Sequence, residues 1–311
     1  MLENFIQIGL QVLVLFMLMA VGLIAAKMGF LTNEVCSKMT DFVLYFVAPA
    51  LVIVSFQMEF NTELLVGLGI TALLALVIQV LNIILAKILI RHNDKSKECV
   101  MQFGAIFSNC GFMGLPLDQA LFGSEGVFYG AAYIAIFNIL SWSYGIILMN
   151  KGHSGYHLSL KKVFINPGTV GVAIALVFFL TSIKLPMPIY STLNYLGSLN
   201  TPMPMFIIGA SMLGMSLKQL ICQWKIYLPI LIRLVVIPIL AIIIMIILKI
   251  DPLIAGVVLI GASAPTAALT SMFAVKFEKD NEISVNLIAL CTLFSVVTMP
   301  LLIAFLQTIL A

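Results

Sequence analysis

Charged residues are scarce in this chain, and that scarcity excludes most soluble folds. Asp, Glu, Lys and Arg make up 9% of the 311 residues, whereas 62% of the residues are hydrophobic and the mean hydropathy is +1.17. An ordinary globular protein has about 25% charged residues. No basic segment is long enough, or interleaved enough with aromatic residues, to indicate a nucleic-acid partner. The composition therefore predicts a polytopic membrane protein.

Residues that carry catalytic or metal chemistry are also few. The five cysteines form no CxxC pair, and the three histidines, His92, His153 and His157, lie in predicted loops rather than among intramembrane polar residues. The sequence contains no HExxH motif and no pair of intramembrane catalytic aspartates. These are the patterns that membrane enzymes and metal sites need. We therefore expect no enzyme activity, no metal site and no cofactor.

Apolar segments fill nearly the whole chain. Crossing a bilayer takes about 20 apolar residues, and ten such segments are present. They lie near residues 4–26, 38–57, 63–90, 98–122, 126–149, 167–184, 188–215, 226–249, 252–275 and 283–310. The predicted fold class is an all-α membrane protein with about ten transmembrane helices. Residues 1–149 would form a first five-helix repeat, 150–166 a short cytoplasmic loop, and 167–311 a second repeat.

The distribution of basic residues predicts how the helices are oriented. Lys and Arg in short loops are retained on the cytoplasmic side. If the N-terminus lies outside, nearly all basic loop residues face the cytoplasm, and Lys184 and Lys249 are the exceptions. We therefore expect a multi-pass protein of the cell (cytoplasmic) membrane with both termini extracytoplasmic. The lipid bilayer is its expected surrounding partner.

Two prolines interrupt apolar segments at matching places in the two halves. Pro116 lies in SNCGFMGLPLD and Pro265 lies in GASAPTAALTS. Backbone groups freed by a broken helix are tolerated only inside protein or beside a wet cavity. Because each half contains an odd number of segments, the second repeat would be inverted. Inverted repeats with broken helices are typical of secondary transporters, whose substrate lies where the breaks meet.

A helix that resumes at Pro116 or Pro265 would direct its first backbone N–H groups towards the break. Such helix ends are partially positive and attract a carboxylate. Asn109 could donate its amide to that carboxylate, or it could, with Ser108, satisfy carbonyls freed by the break. The candidate substrate-binding residues are Asn109, Ser108, Gly111, Gly114, Pro116, Asn138, Asn200, Thr201, Ser263, Pro265 and Thr266.

Structural alternatives remain open for several of these candidates. The glycines at 111 and 114 could serve backbone geometry or close helix packing. Asn138 could make an interhelical hydrogen bond, and Asn200 with Thr201 could belong to a scaffold helix shaped by neighbouring prolines. Aligning Pro116 with Pro265 places Val258 opposite Asn109, so the site is expected to be chemically asymmetric.

Three charged residues within predicted helices are candidates for coupling or gating, because such charges are costly in a membrane. Arg233 lies eight residues beyond Lys225 and could extend towards the cytoplasmic headgroups, or serve as a substrate counter-charge or gate. Asp118 could carry a proton or could simply stabilise a helix N-terminus. Asp41 is expected near the cytoplasmic surface.

The segment SNCGFMGLPLDQALFG resembles the fourth-helix signature of the auxin efflux carrier family. The resemblance extends across essentially the whole chain, through NPGTVGVAIAL, TPMPMFIIGASM and ASAPT. It implies a ten-helix fold with crossed helices four and nine, similar to bile-acid symporters, and an elevator-like transport mechanism. The implied substrates are carboxylates such as malate, malonate, lactate or auxin-like acids. It also maps Asn109 onto the family's binding asparagine, and the short 150–166 loop resembles compact prokaryotic members.

The sequence therefore predicts a secondary transporter of small organic carboxylate anions. Coupling to H⁺ or Na⁺ and assembly as a monomer or homodimer stay open. A sodium-coupled symporter or cation/proton antiporter on the same fold is the first alternative, because unwound carbonyls bind cations. A membrane receptor that does not transport is the second alternative, because a fold alone does not establish function.

Overall fold

A computed structural model describes residues 2–150, 167–213 and 224–310, and these ranges consist of helices joined by turns and short loops, with no β-strand. The helices are α1 (Leu2–Lys27), α2 (Asn33–Ser55), α3 (Thr62–Leu89), α4 (Lys95–Ile106), α5 (Cys110–Met149), α6 (Pro167–Thr181), α7 (Met187–Ser198), α8 (Pro202–Ser211), α9 (Tyr227–Ile247), α10 (Pro252–Ser263), α11 (Leu269–Lys276) and α12 (Asn281–Leu310). Gly123, at φ 63°, kinks α5.

Five of the described helices, α2, α3, α5, α9 and α12, are long and apolar enough to cross a membrane. This result confirms the all-helical, polytopic membrane class. Two of the predicted segments, both expected to be interrupted, are each broken into two helices, namely 98–122 into α4 and the start of α5, and 252–275 into α10 and α11. The ten-crossing inverted repeat and the orientation of the termini stay predictions.

The described residues form two compact units, each assembled from several stretches of chain. The first unit comprises residues 1–73, 111–135 and 164–214, and the second comprises 74–110, 136–163 and 215–311. Each unit therefore draws on both predicted five-helix halves. The predicted limits 1–149, 150–166 and 167–311 concern sequence repeats and stay a prediction, and residues 151–166 lie outside the described ranges.

In the first unit, α1 shows how a helix divides its faces between protein and lipid. Large apolar side chains of α1 lie more than half exposed along one stripe, at Leu13, Met17, Val21 and Ile24. This stripe is suited to hydrocarbon contact. The opposite stripe, which includes Met19 and Gly22, is buried.

The buried stripe of α1 packs against α8 at backbone distance. A Cβ atom added to Gly22 would lie 2.6 Å from the Cα of Phe206, and one added to Gly209 would lie 2.9 Å from the Cα of Met19. Glycine therefore permits each helix to approach the backbone of the other, as is common where membrane helices associate.

In the second unit, α4 and α10 are short helices that are almost entirely buried. Each begins with an aspartate N-cap: Asp94 accepts a hydrogen bond from the backbone N–H of Ser96 at 2.8 Å, and Asp251 accepts one from Leu253 at 2.9 Å. Every residue from 98 to 106 and from 254 to 263 is buried. Both helices then end inside the unit, and their ends define the candidate site.

Candidate functional site

The two helix breaks of the second unit pair directly with each other through backbone hydrogen bonds. Asn109 N–H donates to the carbonyl of Pro265 at 2.6 Å, and Ala267 N–H donates to the carbonyl of Phe107 at 2.9 Å. These bonds flank an isolated antiparallel bridge between Ser108 and Thr266. We call residues 107–109 together with 264–268 the paired break. The sequence correctly predicted that both segments are interrupted, and the structure brings the interruptions together.

The positions of the two prolines differ from the prediction. The helix after the first break begins at Cys110, so Pro116 lies inside α5 and does not open it. A π-helical stretch, Cys110–Gly114, precedes this proline, and such wide turns accommodate a residue that has no N–H to donate. Pro265 lies within the second break, and the helix resumes only at Leu269.

Pro265 nevertheless explains where α10 ends. The residue before a proline is forced away from helical geometry, and Ala264 is extended, with φ −58° and ψ 144°. Because the two prolines are not in equivalent positions, the alignment that placed Val258 opposite Asn109 is wrong. Val258 is fully buried within α10, and the backbone partner of Asn109 is Pro265.

Arg233, on α9, binds the ends of both short helices. Its Nη1 donates to the carbonyls of Ile106 at 3.0 Å and Ala105 at 3.4 Å, and its Nη2 donates to the carbonyl of Ala262. The residue is fully buried. The interpretation that Arg233 extends to the cytoplasmic headgroups is therefore wrong, because its guanidinium group satisfies helix-terminal carbonyls instead.

Two further side chains complete the hydrogen bonding at the end of α4. Thr266 Oγ1 donates to the carbonyl of Gly104 at 2.9 Å, and Asn82 Nδ2 donates to the carbonyl of Ile106 at 3.1 Å. The carbonyl of Phe103 accepts from the backbone N–H of Phe107 at 2.9 Å. All four carbonyls that a helix end leaves without intrahelical partners are thus satisfied at α4.

Three polar side chains at the paired break and just after it are left without a hydrogen-bond partner among the described residues. They are the hydroxyl groups of Ser108 and Thr270 and the amide of Asn109. Asn109 is 8% exposed, and the two hydroxyl-bearing residues are fully buried. The alternative that Ser108 and Asn109 satisfy freed carbonyls is therefore not what the structure contains, since Arg233 and Thr266 perform that role.

The helices that leave the paired break supply a positive electrostatic end. α5 starts at Cys110 and α11 at Leu269, immediately or shortly after the break. A helix N-terminus carries about half of an elementary positive charge and N–H groups without intrahelical acceptors. Such an end, together with unpartnered amide and hydroxyl donors, can bind an oxyanion. No cluster of three His, Cys, Asp or Glu residues that could hold a metal occurs in the described part of the chain.

Other candidates of the second unit contribute less to this arrangement. The hydroxyl group of Ser263 contacts the carbonyl of Ile260 at 3.5 Å, within its own helix. Asn138 is half-buried in α5, and its backbone carbonyl accepts a hydrogen bond from Ser141 Oγ at 3.2 Å. Substrate contact by either residue stays a prediction.

The remaining candidates belong to the first unit. A Cβ atom at Gly111 would meet no atom within 4 Å, and its φ is not positive, so neither close packing nor an unusual backbone angle requires a glycine there. Gly114 is buried in the π-helical stretch. Asp118 is buried in α5, and its Oδ1 has no hydrogen-bond partner among the described residues. Asp41 is exposed, and its position near the cytoplasmic surface stays a prediction.

Asn200 and Thr201 lie in the turn between α7 and α8. Asn200 is 1% exposed, and both of its amide atoms lack a hydrogen-bond partner in the described ranges. Thr201 lines a cleft of about 520 Å³ in the first unit, together with the uncharged polar residues Ser55, Gln57 and Asn194. The predicted role of Asn200 and Thr201 in substrate contact stays untested.

The candidates predicted from the sequence did not include several buried polar residues of the second unit, of which Asn82 donates a hydrogen bond to the end of α4. Asn82 and Gln79 are fully buried on α3, and Thr270 is fully buried near the start of α11. The two amides stand three residues apart in the apolar run LLALVIQVLNIILA, and this spacing puts them on one helix face. Uncharged amides at helical spacing in a membrane segment are a signal that could have identified them.

Replacing Thr266 with valine should destabilise the protein by about 1–3 kcal/mol, because the buried carbonyl of Gly104 would lose its donor while the side-chain volume is kept. Thermal unfolding of the purified protein in detergent measures the change. Thr181→Val is the matched control: this threonine is exposed and bonds within its own helix, so a change of less than about 0.5 kcal/mol is expected. Equal losses of stability for the two substitutions would contradict the assignment of Thr266 as the donor to the carbonyl of Gly104.

Comparison with known proteins agrees with the architecture. The family described as membrane transport protein matches residues 8–303. An uncharacterized transporter of Methanothermobacter thermautotrophicus is 26% identical over 296 residues, covering 94% of this chain and 95% of the relative. An uncharacterized transporter of Methanocaldococcus jannaschii is 26% identical over 299 residues, covering 93% of this chain and 96% of the relative. The resemblance noted in the fourth predicted helix is thus confirmed over nearly the entire chain, and the protein belongs to the auxin efflux carrier family of membrane transport proteins.

Proposed function

We propose that this membrane transport protein is a secondary carrier of small organic carboxylate anions, and that the carboxylate binds at the paired break. The observation that carries the proposal is that some polar groups at the paired break have hydrogen-bond partners and others have none. The helix-end carbonyls of α4 all have donors, whereas the fully buried hydroxyl groups of Ser108 and Thr270 have no protein partner among the described residues. Asn109, at 8% exposure, lies next to Ser108, and its side-chain amide makes no hydrogen bond to a described residue. Buried polar groups without partners are rare and call for an explanation.

A carboxylate supplies what these donors lack. It offers two oxygens with several lone pairs, and it needs several hydrogen-bond donors once it leaves water. The N-terminal end of α5 adds a favourable electrostatic field next to Asn109. Each hydrogen bond to a charged group contributes about 1.5–3 kcal/mol. Two or three such bonds could therefore offset much of the cost of removing one small anion from water.

The remaining parts of the proposal concern the transport cycle. We propose ten crossings arranged as two inverted five-helix repeats in the cell membrane, with both termini extracytoplasmic. The carboxylate would be exposed alternately to each side by an elevator-like movement. The division of the chain into two compact units supports this part, because a movement of that kind requires two bodies that each hold together internally. Malate, malonate, lactate and auxin-like acids are the substrates to try first.

Uptake into proteoliposomes tests the proposal. Purified protein should accumulate at least one radiolabelled acid from a panel of carboxylates, and protein-free liposomes should not. Asn109→Ala should weaken binding about tenfold or more, which corresponds to the loss of one hydrogen bond to a charged group. Asn33→Ala, at an exposed asparagine that begins α2, is the matched control and should bind as the wild type does.

Two outcomes of this experiment count against the proposal. Absence of flux for every acid, with specific binding retained, would favour the receptor alternative. Unchanged uptake and binding by Asn109→Ala would show that the carboxylate binds elsewhere. Insertion and folding of both variants are checked by size-exclusion chromatography, so that a loss of uptake cannot be confused with a loss of protein.

A further inference from the structure

Arg233 connects two helix ends that would otherwise repel each other. Its guanidinium group donates to Ala105 and Ile106 at the end of α4 and to Ala262 near the end of α10. The C-terminal end of each helix carries about half of an elementary negative charge. One arginine, which stays protonated at all relevant pH values, therefore balances both ends.

Carriers that are built on broken helices usually place a diffusible cation at such ends. Unwound carbonyls and the C-termini of half-helices coordinate Na⁺ in these proteins. A sodium ion would need the carbonyl oxygens of Ala105, Ile106 and Ala262 as ligands. All three already accept hydrogen bonds from the arginine, and Ile106 also accepts one from Asn82. A second cation on the same oxygens would be repelled by the guanidinium group.

The burial of Arg233 keeps its guanidinium group at the carbonyls of α4 and α10. The residue is fully buried on α9, which belongs to the same compact unit as α4 and α10. Its planar group presents several N–H donors in a fixed fork, which matches carbonyls that come from two different helices. A lysine ammonium is a single point charge and could not reach both helix ends with the same geometry.

We propose that Arg233 is a tethered cation in the position that Na⁺ takes in sodium-coupled carriers, so that carboxylate binding by this protein does not require Na⁺. Because Arg233 compensates the negative C-terminal ends of α4 and α10, the positive N-terminal ends of α5 and α11 remain available to the anion. The inference rests on the proposed carboxylate transport, and it selects against the sodium-coupled symporter. Arg233 acts here as a positioning residue, because its contacts are with backbone carbonyls.

The experiment compares cations for wild-type protein and for Arg233→Ala. Binding and uptake of lactate and malonate are measured with NaCl, KCl or choline chloride, and the wild type should give the same values in all three. Arg233→Ala should bind at least about tenfold more weakly. Guanidinium chloride below denaturing concentrations should restore binding and raise the melting temperature of this variant, whereas urea, its neutral isostere, should do neither. Arg91→Ala, at an exposed arginine, is the control and should not respond to guanidinium.

The outcomes separate this inference from the proposed function. Carboxylate uptake by the wild type that disappears without Na⁺ overturns the inference and leaves carboxylate transport intact. Full binding by Arg233→Ala without added guanidinium also overturns it. If Arg233→Ala does not fold, the wild-type cation comparison still decides, and Arg233→Lys should fold with reduced affinity. Absence of uptake and binding for every acid by the wild type is instead the failure of the proposed function.

Discussion

Gly209→Leu is expected to remove most of the correctly folded protein from the membrane. A Cβ atom at this position would overlap the backbone of Met19 on α1, and backbone cannot move aside as a flexible side chain can. Inserting extra methylene groups into a well-packed core costs about 1–3 kcal/mol, and here a whole side chain meets the backbone of a neighbouring helix. We expect a loss of at least about 4 kcal/mol, which is exceptional for a single substitution.

The measurement for Gly209→Leu is the yield of monodisperse protein in detergent, together with its melting temperature. Gly69→Leu is the matched control, because a Cβ atom at Gly69 of α3 would meet nothing within 4 Å. The control should give a yield close to that of the wild type. A stable, monodisperse Gly209→Leu protein would show that α1 and α8 are not packed at backbone distance.

Asn109→Asp is expected to abolish carboxylate binding while the protein stays folded. Asp has nearly the shape of Asn, and both residues are favoured immediately before a helix, where Asn109 precedes α5. The new negative charge would face the carboxylate at hydrogen-bonding range. Two like charges about 4 Å apart repel by about 4 kcal/mol at an effective dielectric constant of 20, so binding should weaken by about a thousandfold.

Binding and thermal stability are measured side by side for Asn109→Asp. The melting temperature should be unchanged or slightly higher, and substrate-induced stabilisation should vanish. Asn33→Asp, at an exposed position, should keep both properties. Retained carboxylate binding by Asn109→Asp would remove Asn109 from the site, and a collapsed melting temperature would show that its amide has a structural role.

The location of the paired break could be predicted from the sequence only in part. Pro116 and Pro265 correctly marked two interrupted segments, because proline disturbs a helix and hydrocarbon penalises free backbone groups. The exact residues of each break were not predictable from the prolines. α5 accommodates Pro116 after a π-helical stretch and continues through it. The first break lies earlier, where Ser108 forms a bridge with Thr266 of the second break. This bridge joins residues that are far apart in sequence, so local sequence patterns do not predict it.

The environment of Arg233 could also be predicted from the sequence only in part. Its charge in an apolar segment made it a candidate for coupling or gating, since such residues are rare in membranes, and that role stays a prediction. Its distance from Lys225 along the helix suggested contact with the headgroups. Only the packing of α9 beside α4 and α10 placed three backbone carbonyls within reach of the guanidinium group and made burial the lower-energy state.

The sequence by itself determined the membrane class, the helical composition, the family and the presence of two breaks. These properties follow from local quantities: apolar length, charge density and the missing N–H of proline. Only the tertiary structure decided which donors satisfy the freed carbonyls and which polar groups remain without a protein partner. Hydrogen bonds between segments far apart in sequence depend on which groups the packing of the helices brings close together, and no local pattern of residues specifies them.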